Sequence, residues 1–398
     1  MQDRLPLSGI RVLDLTQIYN GPYATFLMAM AGAEVIKIEP QGGEYLRRRD
    51  ASSGAGMPFA MLNACKHSVS LNLKSKRGKE MFLELVKTAD VVAENYAPGV
   101  MDRLGLGWDV LSEINPRLIF ASGSGYGQEG AYQDLMAMDL TVQAMSGLMS
   151  VTGNPDGAPM KSGAAVCDFS GGIHLYGAIM TALYERITTN KGGRIDVAMI
   201  DTVYMMMASN IGMLFGARKD IPLRTGNRHG GLSLSPYSVY PTEDGHVSII
   251  CNNDKHWAAL CVCMGREDLI TDSRTATNRG RVENMQFVDD VIIEYTTRFK
   301  TNDIAEKLRL GKVPSAPVRP LPEVMKDEAL HERGLLTKVN HPQYGEVSLP
   351  RSPLLLTRGA KQAEYRVNPE FAADNARIYG ELGIGADELE ALKAEGVI

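Results

Sequence analysis

Apolar residues fall in two rhythms along this chain. Short runs come first: Ile10-Arg-Val-Leu-Asp-Leu15, Glu34-Val-Ile-Lys-Ile-Glu39, Ser68-Val-Ser-Leu-Asn-Leu73, Asp90-Val-Val-Ala-Glu94 and Leu118-Ile-Phe-Ala-Ser122. Runs of this length and composition suit buried strands. Between them, residues 22–33, 77–87 and 108–114 carry apolar positions at helical spacing, with Pro22 fitted to a first helical turn. Strand alternating with helix predicts an α/β fold: a doubly wound, Rossmann-like large domain on a mostly parallel sheet.

Further along, 139–151 reads as a helix, a second helix starts after Asp168, and Arg194-Ile-Asp-Val-Ala-Met199 reads as a strand. An apolar helix follows over 202–215, in which Met205-Met-Met207 reads as core filler. Composition then turns basic and glycine-rich up to Gly231, which marks a domain boundary. Beyond it a hairpin is expected from 237–240 and 246–251 around Glu243-Asp-Gly245, with helices over 254–264, 282–298 and 302–308. Residues 314–322, rich in proline, read as a linker. A strand pair near 335–340 and 346–349 and a helix over 387–395 end the chain. The division is a large domain over 1–215, a smaller α+β domain over 216–330, and a C-terminal segment over 331–398.

The stretch with the most chemistry is Gly163-Ala-Ala-Val-Cys-Asp168-Phe-Ser-Gly-Gly172. One acid stands between apolar neighbours just before a long helical pattern, which puts Asp168 at an N-cap. Capping through the free N–H groups is one reading of it. The other is a covalent nucleophile, because Val166, Cys167 and Phe169 bury the acid while Gly171 and Gly172 admit close backbone approach.

Charge and composition narrow the field. With 398 residues, 44% hydrophobic, and a net charge of −5, the chain is an ordinary globular protein without a nucleic-acid surface. No run is long enough to span a membrane, and the start has no signal-peptide shape. Five cysteines without a Cys-x-x-Cys pattern read as reduced thiols in a cytoplasmic protein, and the scattered histidines predict no metal site. The first strand-to-helix turn, Thr16-Gln-Ile-Tyr-Asn-Gly-Pro-Tyr23, holds one glycine, so neither the dinucleotide fingerprint nor a P-loop is present.

Several motifs in one order then resemble a known family. They are Pro6-Leu-Ser-Gly-Ile-Arg-Val-Leu-Asp-Leu15, Gly32-Ala-Glu-Val-Ile-Lys-Ile-Glu39, Asn95-Tyr-Ala-Pro-Gly99, Asp102-Arg-Leu-Gly105, Asn115-Pro-Arg-Leu-Ile119, Gly123-Ser-Gly-Tyr-Gly127 and the Asp168 stretch. The chain resembles the class III CoA-transferases, the group of formyl-CoA transferase and crotonobetainyl-CoA:carnitine CoA-transferase, and their bile-acid relatives. The resemblance implies exchange of CoA between an acyl-CoA donor and a carboxylic acid, with Asp168 as nucleophile and mixed-anhydride and aspartyl-CoA thioester intermediates. It implies CoA contacts at Gln17, Tyr19, Asn20, Leu71, Lys74, Asn95, Tyr96, Arg103 and Leu104. No permanent cofactor is implied, since the CoA thioester is a substrate. An interlocked homodimer is implied as well, with the last segment returning to the large domain. A heteromer with a paralogue is the alternative assembly.

Three departures separate this chain from formyl-CoA transferases. The glycine run that closes their site is reduced to His229-Gly230-Gly231; the stretch before the central helix reads Met136-Ala-Met-Asp139-Leu140, without their basic residue and glutamate; and Pro40 follows Glu39. Oxalate and formyl-CoA are therefore not the expected pair, and succinyl-CoA is the expected donor. Asp139 is a further acid near the site or an N-cap. Arg47, Arg48, Arg49, Arg224, Arg228 and His229 are candidates to hold a substrate carboxylate. The competing functions are an α-methylacyl-CoA racemase, which needs a second proton-transfer group where Met138 stands, and a CoA-binding subunit of a two-subunit transferase.

Overall fold

Side chains along a strand leave on alternate faces, and the central strands use both. In β1 (Arg11–Asp14), Leu13 joins a core with Phe82 and Leu85 of helix Lys76–Val86, while Val12 joins another with Leu27 and Met28 of helix Asn20–Met30. In β2 (Glu34–Glu39), Ile36 and Ile38 go to the first core and Val35 to the second. With β3 (His67–Ser70), β4 (Val91–Glu94), β5 (Ile119–Ser124) and β6 (Gly193–Ala198) they form one sheet in the order 3-2-1-4-5-6, every pair parallel. This is the doubly wound α/β architecture expected from the strand–helix rhythm. Strand order reverses between β1 and β4, and the crevice outside their carboxyl ends is where such sheets take ligands.

The computed structural model describes residues 4–216, 222–355 and 363–398. They fall into two compact units. The first comprises residues up to 145, 164–204 and from 327 onward; the second comprises 146–163 and 205–326. In the first unit the C-terminal residues Ile378, Tyr379, Leu392, Val397 and Ile398 complete the core around Phe82, and the Tyr379 hydroxyl donates to the Ser70 carbonyl at 2.7 Å. β10 (Leu336–His341) and β11 (Gly345–Pro350) form an antiparallel hairpin. The second unit has an antiparallel sheet of β7 (Tyr237–Pro241), β8 (His246–Ile250) and β9 (Ser315–Pro317), packed on Trp257, Leu260, Val288 and Ile292.

Three local expectations change. The helix expected over 139–151 stops at Met145 and resumes as a short turn at Met149–Val151, because Gly147 adopts a left-handed φ of 89° between them. Met205–Met207 form a three-residue 3-10 turn, whose three residues per turn face three directions. Only Met207 is buried, so the run is not core filler. The proline-rich 314–322 stretch contains β9, an edge strand, where Pro317 forfeits no interior ladder bond. The two units also divide the chain differently from the sequence boundaries, since 146–163 and 205–215 group with the second unit. Among the described residues, no helix is long and apolar enough to cross a membrane.

Candidate active site

Asp168 is not an N-cap. Its helix begins at Val166, with Ala165 as the N-cap, so Asp168 lies inside the first turn. Small residues such as Ala164 and Ala165 do nothing to stop a helix, and the winding starts before the acid. The cap comes from another element. Asp139, the first residue of helix Asp139–Met145, accepts from the Cys167 and Asp168 N–H groups through Oδ1, at 2.8 and 3.2 Å. Its Oδ2 accepts from Gln143 at 2.5 Å. Asp139 thus caps the Asp168 helix rather than its own.

That arrangement sets the chemistry of Asp168. The residue is only 8% exposed, and among the described residues nothing donates to its carboxylate. Burial, and then the charge of Asp139, push its pKa up to about 7. Asp139→Asn keeps an oxygen for the two N–H groups and removes the charge. The Asp168 ionisation, followed by carboxyl-carbon NMR, is expected to move below 7 in this variant. A titration that does not shift would show that the neighbouring acid is electrostatically silent.

The turn after β1 approaches the same point. Gln17 and Asn95, at the ends of β1 and β4, clasp each other: Gln17 N–H donates to Asn95 Oδ1 at 2.7 Å, and Asn95 Nδ2 donates to the Gln17 carbonyl at 2.8 Å. The clasp ties the two strand ends together at the reversal of strand order. Ile18 next to it has a φ of 66°, a left-handed conformation that β-branched residues avoid. A buried ionic network underneath holds this strained turn. Lys37 Nζ donates to the Thr16 carbonyl and to Glu44. Asp14 accepts from Thr16 and Thr25, and Lys66 donates to Asp14, Thr25, Asn63 and the Pro22 carbonyl. Burial pushes the Asp14 carboxyl up, but Lys66 and Lys37 bring it below the ordinary range.

The glycines after Asp168 serve this packing. A Cβ on Gly171 would stand 2.2 Å from Asn20 Nδ2, and one on Gly172 would stand 2.5 Å from the Asn20 carbonyl. The close neighbour they admit is therefore helix Asn20–Met30, a different use from the one their position suggested. Phe169 adds to the contact, stacked on Tyr19 at 5.9 Å and meeting Tyr23 edge-on at 5.0 Å.

A cleft of about 510 Å³ opens between these parts, lined by Gln17, Asn20, Asn95, Tyr96, Arg103 and Asp168. These are six of the expected site positions, and they come together at one place. Tyr19 faces Phe169, Leu71 is buried in the core, Lys74 is exposed, and Leu104 is half-buried. None of those four lines the cleft. Arg47 forks onto Glu39 at 2.7 and 2.8 Å and covers the Phe59 ring, Arg49 lies over Tyr45, and Arg48 is exposed.

The second unit carries the remaining candidates. Arg224 donates to the carbonyls of Ser150, Asn154 and Gly157, and Arg228 pairs with Asp289 at 2.7 Å. His229 Nδ1 accepts from Gly231 N–H, and Gly230 lies against Asn210.

Two further parts of the wall entered the sequence reading only through the resemblance, one as a family motif and the other as the stretch around Met138 that lacks the family's basic residue. One is Gly123-Ser-Gly-Tyr-Gly127 at the end of β5, the other the loop from Gln133 to Met138. Leu135, Met136 and Met138 are exposed apolar residues outside any helical or strand period, and that misfit was the available signal.

Comparison with known proteins places the chain in a family by sequence and fold. A family model described as CoA-transferase family III matches residues 7–375. The formyl-CoA:oxalate CoA-transferase of Streptomyces coelicolor is 36% identical, over 98% of this chain and 99% of its own length. The succinate–glutarate CoA-transferase of Agrobacterium fabrum is 34% identical, over 95% of this chain and 96% of its own. Among solved structures, a CAIB/BAIF family protein from Brucella suis superposes with a TM-score of 0.83 at 31% identity, covering 95% of this chain and 100% of that one. Matched over nearly its whole length in sequence and in fold, the chain belongs to CoA-transferase family III.

Proposed function

We propose that this transferase moves CoA from an acyl-CoA, with succinyl-CoA as donor, to a carboxylic acid acceptor through Asp168. The observation that carries the reading is a buried carboxyl with a pKa near 7 in the wall of a cleft at the reversal of strand order. The Asp168 carboxylate attacks the thioester carbon, the C–S bond breaks, and a mixed anhydride and CoA thiolate result. The thiolate then attacks the Asp168 carbonyl carbon and releases the donor acid, leaving an aspartyl-CoA thioester. The acceptor carboxylate runs both steps backwards. Relatives named as succinate–glutarate and succinyl-CoA:mesaconate CoA-transferases support the succinyl donor.

Gln17, Asn20, Asn95, Tyr96 and Arg103 are the proposed CoA contacts within the cleft, and Lys74 and Arg103 supply charge for its phosphates. Tyr19, Leu71 and Leu104 are proposed as contacts on the resemblance alone. His229, Gly230 and Gly231 are proposed as a closing loop, whereas Arg224 and Arg228 are committed to partners within their own unit. A racemase would need a second proton-transfer group beside Asp168; the position directly before Asp139 is Met138, which carries no exchangeable proton, while the acid that the same loop brings to the wall is Asp134, four residues further back.

Hydroxylamine added to the chain turning over succinyl-CoA tests the reading: an Asp168 hydroxamate is expected in the peptide map. Tight CoA binding with no adduct from a panel of acyl-CoAs would instead mark a non-catalytic subunit.

A homodimer, interlocked as the family resemblance implies, is part of the proposal. Helix Val166–Thr189 supports it, because Tyr184 and Ile187 near its end are 75% and 78% exposed although apolar. Light scattering is expected to report a dimer, and Tyr184→Glu with Ile187→Glu to impair its assembly, read as a lower yield of dimer on refolding. A monomeric wild type would end this part of the reading, and a mass matching a second polypeptide would point to the heteromer. The five free cysteines suit a reducing compartment, so the proposed location is the cytoplasm.

A further inference from the structure

Asn20 is 4% exposed, and both of its polar side-chain atoms, Oδ1 and Nδ2, are buried without a hydrogen-bond partner among the described residues. Buried carboxamides are almost always paired, and an orphaned one persists for a reason. Space has been cleared around this one. A Cβ on Gly123 would come within 2.7 Å of Oδ1, and a Cβ on Gly171 within 2.2 Å of Nδ2. Glycines from two different elements therefore shape a slot for a side chain that bonds to neither.

The slot adjoins the nucleophile. Gly171 is three residues beyond Asp168 on the same helix, which puts the two on neighbouring positions of one face. Asn20 and Asp168 both line the cleft. The helix's own N-terminal donors are already used, since the Cys167 and Asp168 N–H groups go to Asp139 and the Phe169 N–H to the Ala165 carbonyl. The ionic network under the turn satisfies itself through Asp14, Thr25 and Asn63 and does not reach the Asn20 amide. What stays next to Asp168 is a desolvated N–H pair with its capacity unspent.

We propose that Asn20 is a catalytic donor, with Nδ2 hydrogen-bonding the oxygen of the reacting acyl group. The inference rests on the transferase mechanism proposed above. When an Asp168 oxygen bonds to the thioester carbon, the carbonyl π pair moves onto oxygen, and that oxyanion receives the Asn20 N–H. Collapse of the adduct returns the pair to the carbonyl and expels the thiolate. The Asn20 side chain neither gains nor loses a proton. The terminal torsion of an asparagine is soft, so the amide turns toward the cleft without leaving its slot. In a water-poor site a preset donor of this kind is worth about 10²–10³ in rate.

The test compares wild type, Asn20→Ala and Asn20→Asp in single turnovers with succinyl-CoA. Adduct formation at Asp168 is read by hydroxylamine capture, free CoA affinity by calorimetry, and melting temperature alongside. Adduct formation is expected to slow by about 10²–10³ in Asn20→Ala. Affinity for free CoA, of which Asn20 is one proposed contact among several, should fall by far less than the rate, by no more than about tenfold, and the melting temperature should hold or rise, because an unsatisfied buried group has been removed. Asn20→Asp, nearly isosteric but without the donor, should be at least as slow. Adduct formation within threefold of wild type in either variant overturns the assignment. So does a loss that merely follows weakened CoA binding or lowered stability, which would mark Asn20 as structural. A wild type that yields no Asp168 adduct with any acyl-CoA sinks the mechanism itself. Normal adduct in the wild type with undiminished rates in the variants sinks the role of Asn20 alone.

Discussion

Asp168→Asn is expected to lower CoA exchange by about three orders of magnitude or more while leaving free CoA binding intact. The change is isosteric, so the slot between Asp139 and helix Asn20–Met30 stays filled. What disappears is the anion able to form the anhydride. The hydroxamate adduct should vanish with the activity. Stability provides a second readout with a definite sign. The folded pKa of Asp168, about 7, lies above that of a free aspartate. Below pH 4 the wild-type side chain is neutral in both states and folding pays nothing for it. As pH rises from 4 through 7, ionisation is disfavoured in the fold, and wild type loses stability relative to the neutral variant. The gap should level off above pH 7 at no more than roughly 4 kcal/mol. Denaturant unfolding from pH 4 to 8 measures it. Retained exchange would end the nucleophile assignment, and a gap independent of pH would show that Asp168 is not held as an acid.

Lys66→Met is expected to destabilise the first unit by ~3–5 kcal/mol, because it strips a partner from a charge in the interior. Lys66 and Asp14 are both sealed from solvent and 2.8 Å apart, and burial draws the Lys66 ammonium down to about 8. Removing the lysine leaves Asp14 facing Lys37 alone and orphans the acceptors on Thr25 and Asn63. The damage should reach function, because the network supports the strained turn carrying Gln17 and Asn20. CoA affinity is expected to fall even where the variant stays folded. The double variant Asp14→Leu with Lys66→Met should recover part of the stability, since replacing a buried pair by apolar groups often costs little. Urea midpoints at pH 7 decide the matter. A loss under 1 kcal/mol for the single variant would show that the pair contributes little net.

The sheet was readable in advance because its strands are buried on both faces and therefore appear as apolar runs. Glu34–Glu39 was delimited to the residue. Asp168 stood out for the same reason, as one acid in an apolar neighbourhood. Its local setting was misread, since the group that caps its helix comes from Asp139, 29 positions earlier, and no periodicity reports a cap borrowed across the fold. Lys37 and Lys66 carry the first unit's buried network, yet lysine by itself signals surface. Only the interruption of Val-Ile-Lys-Ile by a charge hinted otherwise. The slot of Asn20 was invisible because it is made by two glycines, Gly123 and Gly171, that are distant from it in sequence and meet it only in space.

The loop from Gln133 to Met138 adds its own consequence. It forms one wall of the cleft, and Met136 within it is 93% exposed in the first unit. A wall with so little invested in the core can change its side chains without disturbing the strands, the Gln17–Asn95 clasp or Asp168. The shape of the cleft and the stability of the sheet are thereby uncoupled. Half a dozen positions there can be rewritten, and the cleft reshaped, at little cost to the core.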